Sequence, residues 1–318
     1  MKRHAALLAL AGAALLALAL FGAQVFRARP TIAPRVVVGG GDGGGLARAQ
    51  PTDERFDAAA LERAVDDGAA GAPQVLIIMR DDHIVFERYQ RGLAADSMVD
   101  TGPFAQALVA LVAGVAAKQG ALPSQALRGF DANALRTAIE SGTHERYEVY
   151  LSRELWSRLN AAAAWIALPV SGAATPADCC FHARVLDWMR VASVLVQDGR
   201  FEGKQVVPAG WVQRMSLPYS ADSLHGFGVE LAGAAHGAEP FDADGVIFLR
   251  GPGRWRLWMV PQLKLAVLFG ADAAGVDAPG GTAPWDETRL PNRVIRALSD
   301  RPPQRGDVTD LQRLVPGH

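Results

Sequence analysis

The sequence predicts an α+β domain: an antiparallel sheet flanked by helices, with an inserted helical subdomain and a cleft between that subdomain and the sheet. Three observations predict it. Two β-rich runs, 75–80 and 84–89, surround the polar pair Asp81-Asp82 and read as a hairpin. Strand-like runs return only near the end, at 226–231, 246–250, 254–260 and 265–269. Between the two groups lie helical patterns at 103–118, 133–141, 147–159 and 182–196.

Taken in order, the chain opens with Lys2, Arg3 and His4, followed by an uncharged apolar run from Ala5 to Phe26 and then Arg27 and Arg29. A helix needs about 20 apolar residues to cross a bilayer, and the basic start places the N-terminus in the cytoplasm. Residues 1–30 are therefore expected to be a membrane anchor, with a cleaved signal sequence as the alternative. Phe21 and Ala23 before Gln24 make a poor cleavage site. Either way the rest of the chain is exported, which sets the expected localisation: a single pass through the inner membrane, with the main domain in the periplasm. Residues 31–54 carry Gly39-Gly40-Gly41-Asp42-Gly43-Gly44-Gly45 and are expected to be a flexible linker. No Lys-Ser/Thr follows the glycines, so a phosphate loop is not expected.

The folded domain is expected over 55–298. Asp57 caps a helix that ends near Gly68, and the hairpin follows. The next helix, 103–118, has no charge between Asp100 and Lys118, so it belongs at the centre of the domain, enclosed on all sides. A short β excursion after Gly199 leads to a helix near Pro208, and a terminal helix over 286–298 closes the domain. The Pro-rich residues 299–318 are expected to be a loose tail. The 318 residues carry a formal net charge of −1, which argues against nucleic acid as a partner. Cys179 and Cys180 are adjacent. They are expected as two small buried side chains, since a mutual disulfide closes a strained ring.

In their fixed order these segments resemble the serine β-lactamase-related family, which includes class C β-lactamases, penicillin-binding proteins and esterases. Residues 75–89 are similar to its first hairpin. Leu111 to Leu122, with Gly114 and Gly120, is similar to its central helix. Leu155-Trp156 to Leu159, with Trp165, resembles the helix that ends its inserted region. Asp187-Trp188 and the run from Gly199 to Trp211 resemble its G-x-x-x-G-x-x-V-V-P-x-x-W excursion, and 251–261 with 265–268 its closing strands. The resemblance implies a β-lactamase/transpeptidase-like fold and acyl chemistry through three motifs. A Ser-x-x-Lys pair at the start of the central helix supplies nucleophile and base, one helical turn apart. A Tyr-x-Asn on a loop assists proton transfer, and a Lys/His-x-Gly on the sheet edge borders the oxyanion site.

Counting back from Gly114 and Gly120, the serine position falls on Pro103 and the lysine position on Gln106. Proline offers no nucleophile and glutamine no base. Asp131-Ala132-Asn133 is the nearest match to the second motif, but Asp131 is better suited to cap the helix after it. Gly251-Pro252-Gly253 occupies the third without Lys or His, and Trp255 stands where many relatives carry glutamine. Ser97 lacks a partner lysine and reads as a turn residue. His225 and His236 flank glycine-rich turns, and no histidine spacing suits a metal. Neither metal nor cofactor is expected, and no catalytic residue can be assigned. The expectation is a catalytically inactive relative that binds a protein partner, a cell-wall fragment or another small ligand. The alternative is an acyl hydrolase using repositioned residues.

Overall fold

The computed structural model describes residues 34–68, 73–169, 176, 179–220, 222–271 and 285–300. The chain enters as strand β1 (Arg35–Val38), passes the glycine run and forms helix α1 (Ala58–Gly68). Asp57 starts that helix as expected, its Oδ1 accepting the Ala60 N–H at 2.8 Å. The hairpin β2 (Val75–Arg80) and β3 (His83–Tyr89) follows, and strand β4 (Met98–Asp100) leads to the central helix α2 (Ala105–Lys118). Helices α3 (Ala132–Thr143) and α4 (Tyr147–Leu151) come next, the latter running into one π-helical turn, Ser152–Trp156. Strands β5 (Ala164–Ala167) and β6 (Phe181–Arg184) precede helix α5 (Val185–Val196). A two-stranded excursion, β7 (Arg200–Phe201) and β8 (Lys204–Gln205), leads to α6 (Trp211–Met215). The chain ends with β9 (Glu230–Leu231), β10 (Ile247–Arg250), β11 (Arg256–Val260), β12 (Leu265–Gly270) and α7 (Arg289–Arg296).

The main sheet has the order β3-β2-β12-β11-β10-β9, antiparallel throughout. Strand β2 is buried on both faces, and its alternation divides the core. Val75, Ile77 and Met79 join the side containing α2 and α5, whereas Leu76 and Ile78 join the side containing Leu61, Val65, Val294 and Ile295 of α1 and α7. Each such side chain contributes roughly 1.5–3 kcal/mol by leaving water. Helix α2 is buried from Ala107 to Ala116, as its lack of charge requires.

The inserted region is not purely helical. Its four-stranded sheet, β1-β5-β6-β4, takes in residues that the helical pattern had claimed. Residues 181–184 form β6 because Phe181 and Ala183 point inward while His182 and Arg184 point out, a period of two that stops where α5 begins. Likewise 226–229 is a turn rather than strand: Gly226 donates to the Val229 carbonyl at 2.9 Å, and Gly228 sits at φ +78°.

The glycine run, expected as a free spacer, is packed. Strand β1 pairs with β5, the Gly41 N–H donates to the Ala161 carbonyl at 2.7 Å, and the Asp42 N–H donates to the Asn160 side chain at 2.8 Å. Glycine serves close approach here, not freedom: a Cβ on Gly40 would stand 2.2 Å from the Ala161 carbonyl oxygen. Buried Arg190 supports the same crossing, pairing with Asp187 at 2.9 Å and donating to the carbonyls of Leu159 and Gly44. At the other end, Asp300 accepts from Arg80 at 2.8 and 2.9 Å, so 299–300 belongs to the domain, while 301–318 lies outside the described residues. Cys179 and Cys180 are joined in a disulfide rather than held as two thiols. Residues 1–30 also lie outside the described residues, among which no helix is long and apolar enough to cross a membrane.

Gly40→Ala should lower stability by about 1–3 kcal/mol in urea denaturation, because the added methyl overpacks a backbone crossing. An unchanged midpoint would restore the reading of 34–45 as a loose spacer.

Candidate functional site

The start of α2 is a local consequence of sequence. Gly102 takes φ +54°, Pro103 opens a 3-10 turn where a missing N–H costs nothing, and Phe104 turns inward against Trp188, ring centroids 5.2 Å apart. Pro103 is thereby left exposed and Gln106 half-buried at the mouth of an otherwise sealed helix. Both face a cleft of about 890 Å³ between α2 and the β10 edge of the sheet.

The glycines define that cleft. A Cβ on Gly251 would lie 2.9 Å from the Thr101 carbonyl oxygen and 3.3 Å from the Phe104 ring, so only glycine lets β10 run this close to the helix start. A Cβ on Gly228 would lie 2.5 Å from that of Ala110, so the 226–229 turn crosses directly over α2. Below it, Trp211 lies flat on Gly114 and its indole N–H donates to the Ala110 carbonyl at 2.9 Å.

Three of the residues expected at the site line this cleft: Pro103, Gln106 and Gly251. Four do not. Asp131 caps α3, accepting the Ala134 N–H at 2.9 Å, and the neighbouring Phe130 lines the cleft instead. Asn133 lies within the first turn of α3, away from the cleft lining. Gly253 belongs to the turn between β10 and β11, and Trp255 is buried, its ring covering Gly270. The cleft is therefore filled by neither Trp255 nor Phe104. Leu249, two residues before Gly251, lines the cleft and is buried at 3% exposure.

Sequence reasoning missed Asp100, Tyr219, Glu230 and Arg250, all of which line the cleft together with His225. Tyr219 carries the only side-chain hydroxyl among the described lining residues, and no lysine or cysteine joins it. Thr101, two residues before Pro103, is fully buried, its hydroxyl sealed off without a hydrogen-bond partner.

Charge at the cleft is largely internal. Arg250 donates through Nε to both Glu230 oxygens at 3.0 Å, through Nη1 to Glu287 and through Nη2 to the Ala234 carbonyl at 2.9 Å. Arg256 reaches the same Glu287 oxygen at 2.6 Å. Burial alone would raise the Glu287 pKa. The His236 N–H and the two guanidiniums outweigh it and hold the carboxyl below its ordinary value. On the opposite wall, Asp100 Oδ1 accepts the Gly102 N–H at 2.9 Å, while Oδ2 is 3.7 Å from His182 Nε2. Burial lowers the His182 pKa, with Asp100 opposing. Among the described residues no three His, Cys, Asp or Glu side chains converge as metal ligands would.

No family model matches the sequence, and no curated protein matches it. Solved structures match in fold. A candidate 6-aminohexanoate-dimer hydrolase from Bacillus anthracis aligns over 90% of this chain and 92% of its own, with a TM-score of 0.60 and 11% identity. A candidate β-lactamase from Bacteroides dorei aligns over 76% and 99%, with a TM-score of 0.58 and 12% identity. A penicillin-binding protein homologue from Caulobacter crescentus aligns over 80% and 100%, with a TM-score of 0.56 and 12% identity.

Because the folded Glu287 pKa is depressed, its ion pairing stabilises the protein fully above the ordinary carboxylate pKa of about 4.3 and loses that effect as pH falls through the folded value. Glu287→Gln should therefore cost roughly 3–5 kcal/mol at pH 7 in urea denaturation, with a deficit that shrinks below about pH 4. A deficit that stays constant with pH would mean the network acts through packing rather than charge.

Proposed function

Starting from a chain with the serine β-lactamase-related fold, we propose that the protein works by binding rather than by acyl transfer. Its ligand is a cell-wall fragment, another small molecule or a segment of a partner protein, held in the cleft between α2 and β10. The N-terminal apolar run holds the domain at the outer face of the cytoplasmic membrane, as the basic flank before Ala5 and the length of the run to Phe26 support.

The observation that carries this reading is the mouth of the central helix. Acyl transfer on this scaffold needs a hydroxyl and an amine one helical turn apart; counting back from Gly114 and Gly120 puts Pro103 and Gln106 at those two positions, and both line the cleft. Neither can attack a carbonyl or take a proton near neutral pH. The Thr101 hydroxyl, two residues before Pro103, is buried out of reach of a substrate. The Gly251-Pro252-Gly253 segment at the sheet edge brings no Lys or His. The names of the structural neighbours point to hydrolysis, but a fold hosts chemistry only through the groups placed on it.

The competing reading, a hydrolase with repositioned residues, has Tyr219 and His225 as its material. Steady-state hydrolysis of nitrocefin and p-nitrophenyl butyrate separates the two. The binding reading predicts rates at the buffer background that are unchanged by Tyr219→Phe and His225→Ala. Saturable turnover that falls by about 100-fold or more in either variant would establish an enzyme.

A further inference from the structure

The charge balance of the cleft points to a ligand class that its neutral floor alone does not specify. An anionic ligand would need a free, fixed cation, and none is found among the described lining residues. Gln106 is neutral and Leu249 is an alkyl chain. Among the described lining residues the basic side chains are Arg250 and His225; the Arg250 guanidinium is already committed to Glu230, Glu287 and the Ala234 carbonyl, and His225 carries an imidazole rather than a fixed positive charge. With Arg256 on the same Glu287 oxygen, that network holds two positive and two negative groups and cancels.

Asp100 is left over. Its side chain is 43% exposed on the wall beside Pro103, and Oδ1 is held in place by the Gly102 N–H at 2.9 Å. Its nearest basic group, His182 Nε2, is 3.7 Å from Oδ2, beyond a hydrogen bond. His182 is stacked on Trp165 with centroids 3.5 Å apart, and its burial favours the neutral imidazole, so no fixed positive charge is paired with Asp100 among the described residues. Phe130, Tyr219 and Val229 supply apolar wall against which an alkyl stem can lie. Aromatic faces favour an ammonium over an anion.

We propose that this cleft takes an amine-bearing ligand, a primary ammonium on an aliphatic stem such as a basic peptide side chain, with Asp100 as its counter-ion. The inference rests on the binding reading of the cleft and deepens it by fixing the sign of the charge.

The test uses the full chain in detergent and three probes identical but for the side-chain end: the N-acetyl, N′-methylamide derivatives of lysine, norleucine and glutamate. Affinities are read by calorimetry, with proton spectra recorded in parallel. The lysine probe should bind at least about fivefold more tightly than the norleucine probe at low salt. That preference should disappear in Asp100→Asn, which keeps an acceptor for the Gly102 N–H, and should turn toward the glutamate probe in Gln106→Lys. Glutamate binding as tight as lysine in the wild type, a lysine preference that survives Asp100→Asn, or no discrimination among the three would each overturn the proposal. Acetate released from a probe counts against the non-catalytic reading instead, and the spectra show it independently of the affinity order.

Discussion

Everything in this fold is arranged around a helix that cannot face water. Helix α2 has no charged residue before its last position and is buried from Ala107 to Ala116, so protein must surround it on every side. Helices α3 and α4 cover one side, and the 226–229 turn and Trp211 of α6 another. Each approach demands a small residue at the contact. Gly114 lies under the Trp211 indole, Ala110 under Gly228, and Gly251 admits β10 to the helix start. Beyond its exposed C-terminal end at Lys118, the helix opens at its N-terminal mouth, where Pro103 and Gln106 meet solvent.

This enclosure separates the shape of the cleft from its chemistry. The cleft walls follow from backbone contacts at Gly102, Gly228 and Gly251, none of which depends on the side chains at 103 or 106. A cleft built this way keeps its shape whatever stands at 103 and 106, since Pro103 suits the first turn of a helix and Gln106 tolerates partial exposure. The ion network of Arg250, Arg256, Glu230 and Glu287 then acts within the protein, bracing the sheet edge against the segment before α7, rather than presenting charge to a ligand. The serine β-lactamase-related fold supplies the frame, and the lining residues decide its use.

Much of the frame was legible in the sequence because its signals are local. The uncharged stretch before Lys118, the Asp57 and Asp131 caps, the first hairpin and the closing strands all appear where periodicity and capping chemistry put them. What escaped depends on partners distant in the chain. The glycine run reads as a spacer until Ala161 and Asn160 are seen against it, and nothing near Gly40 in sequence announces them. Strand β6 was hidden in a helical pattern because its four residues carry too few alternations to outweigh the long apolar face of α5. Within the site, Pro103, Gln106 and Gly251 could be placed by counting along the central helix and the closing strands. Asp100, Tyr219, Glu230 and Arg250 could not, because loops and a sheet edge bring them together without a motif. Trp255 was misplaced for a related reason: Gly270 opens a slot in the neighbouring strand that draws the indole into the core.

Whether the cleft has given up acyl chemistry is read most directly from the intact mass of the full chain after incubation with a fluorophosphonate and a penicillin. Under the binding reading neither Pro103 nor Gln106 can be acylated, so the mass should stay that of the untreated protein while the fold remains intact. A stoichiometric adduct mapped to a single hydroxyl in the cleft would contradict the account and identify the nucleophile that replaced the serine.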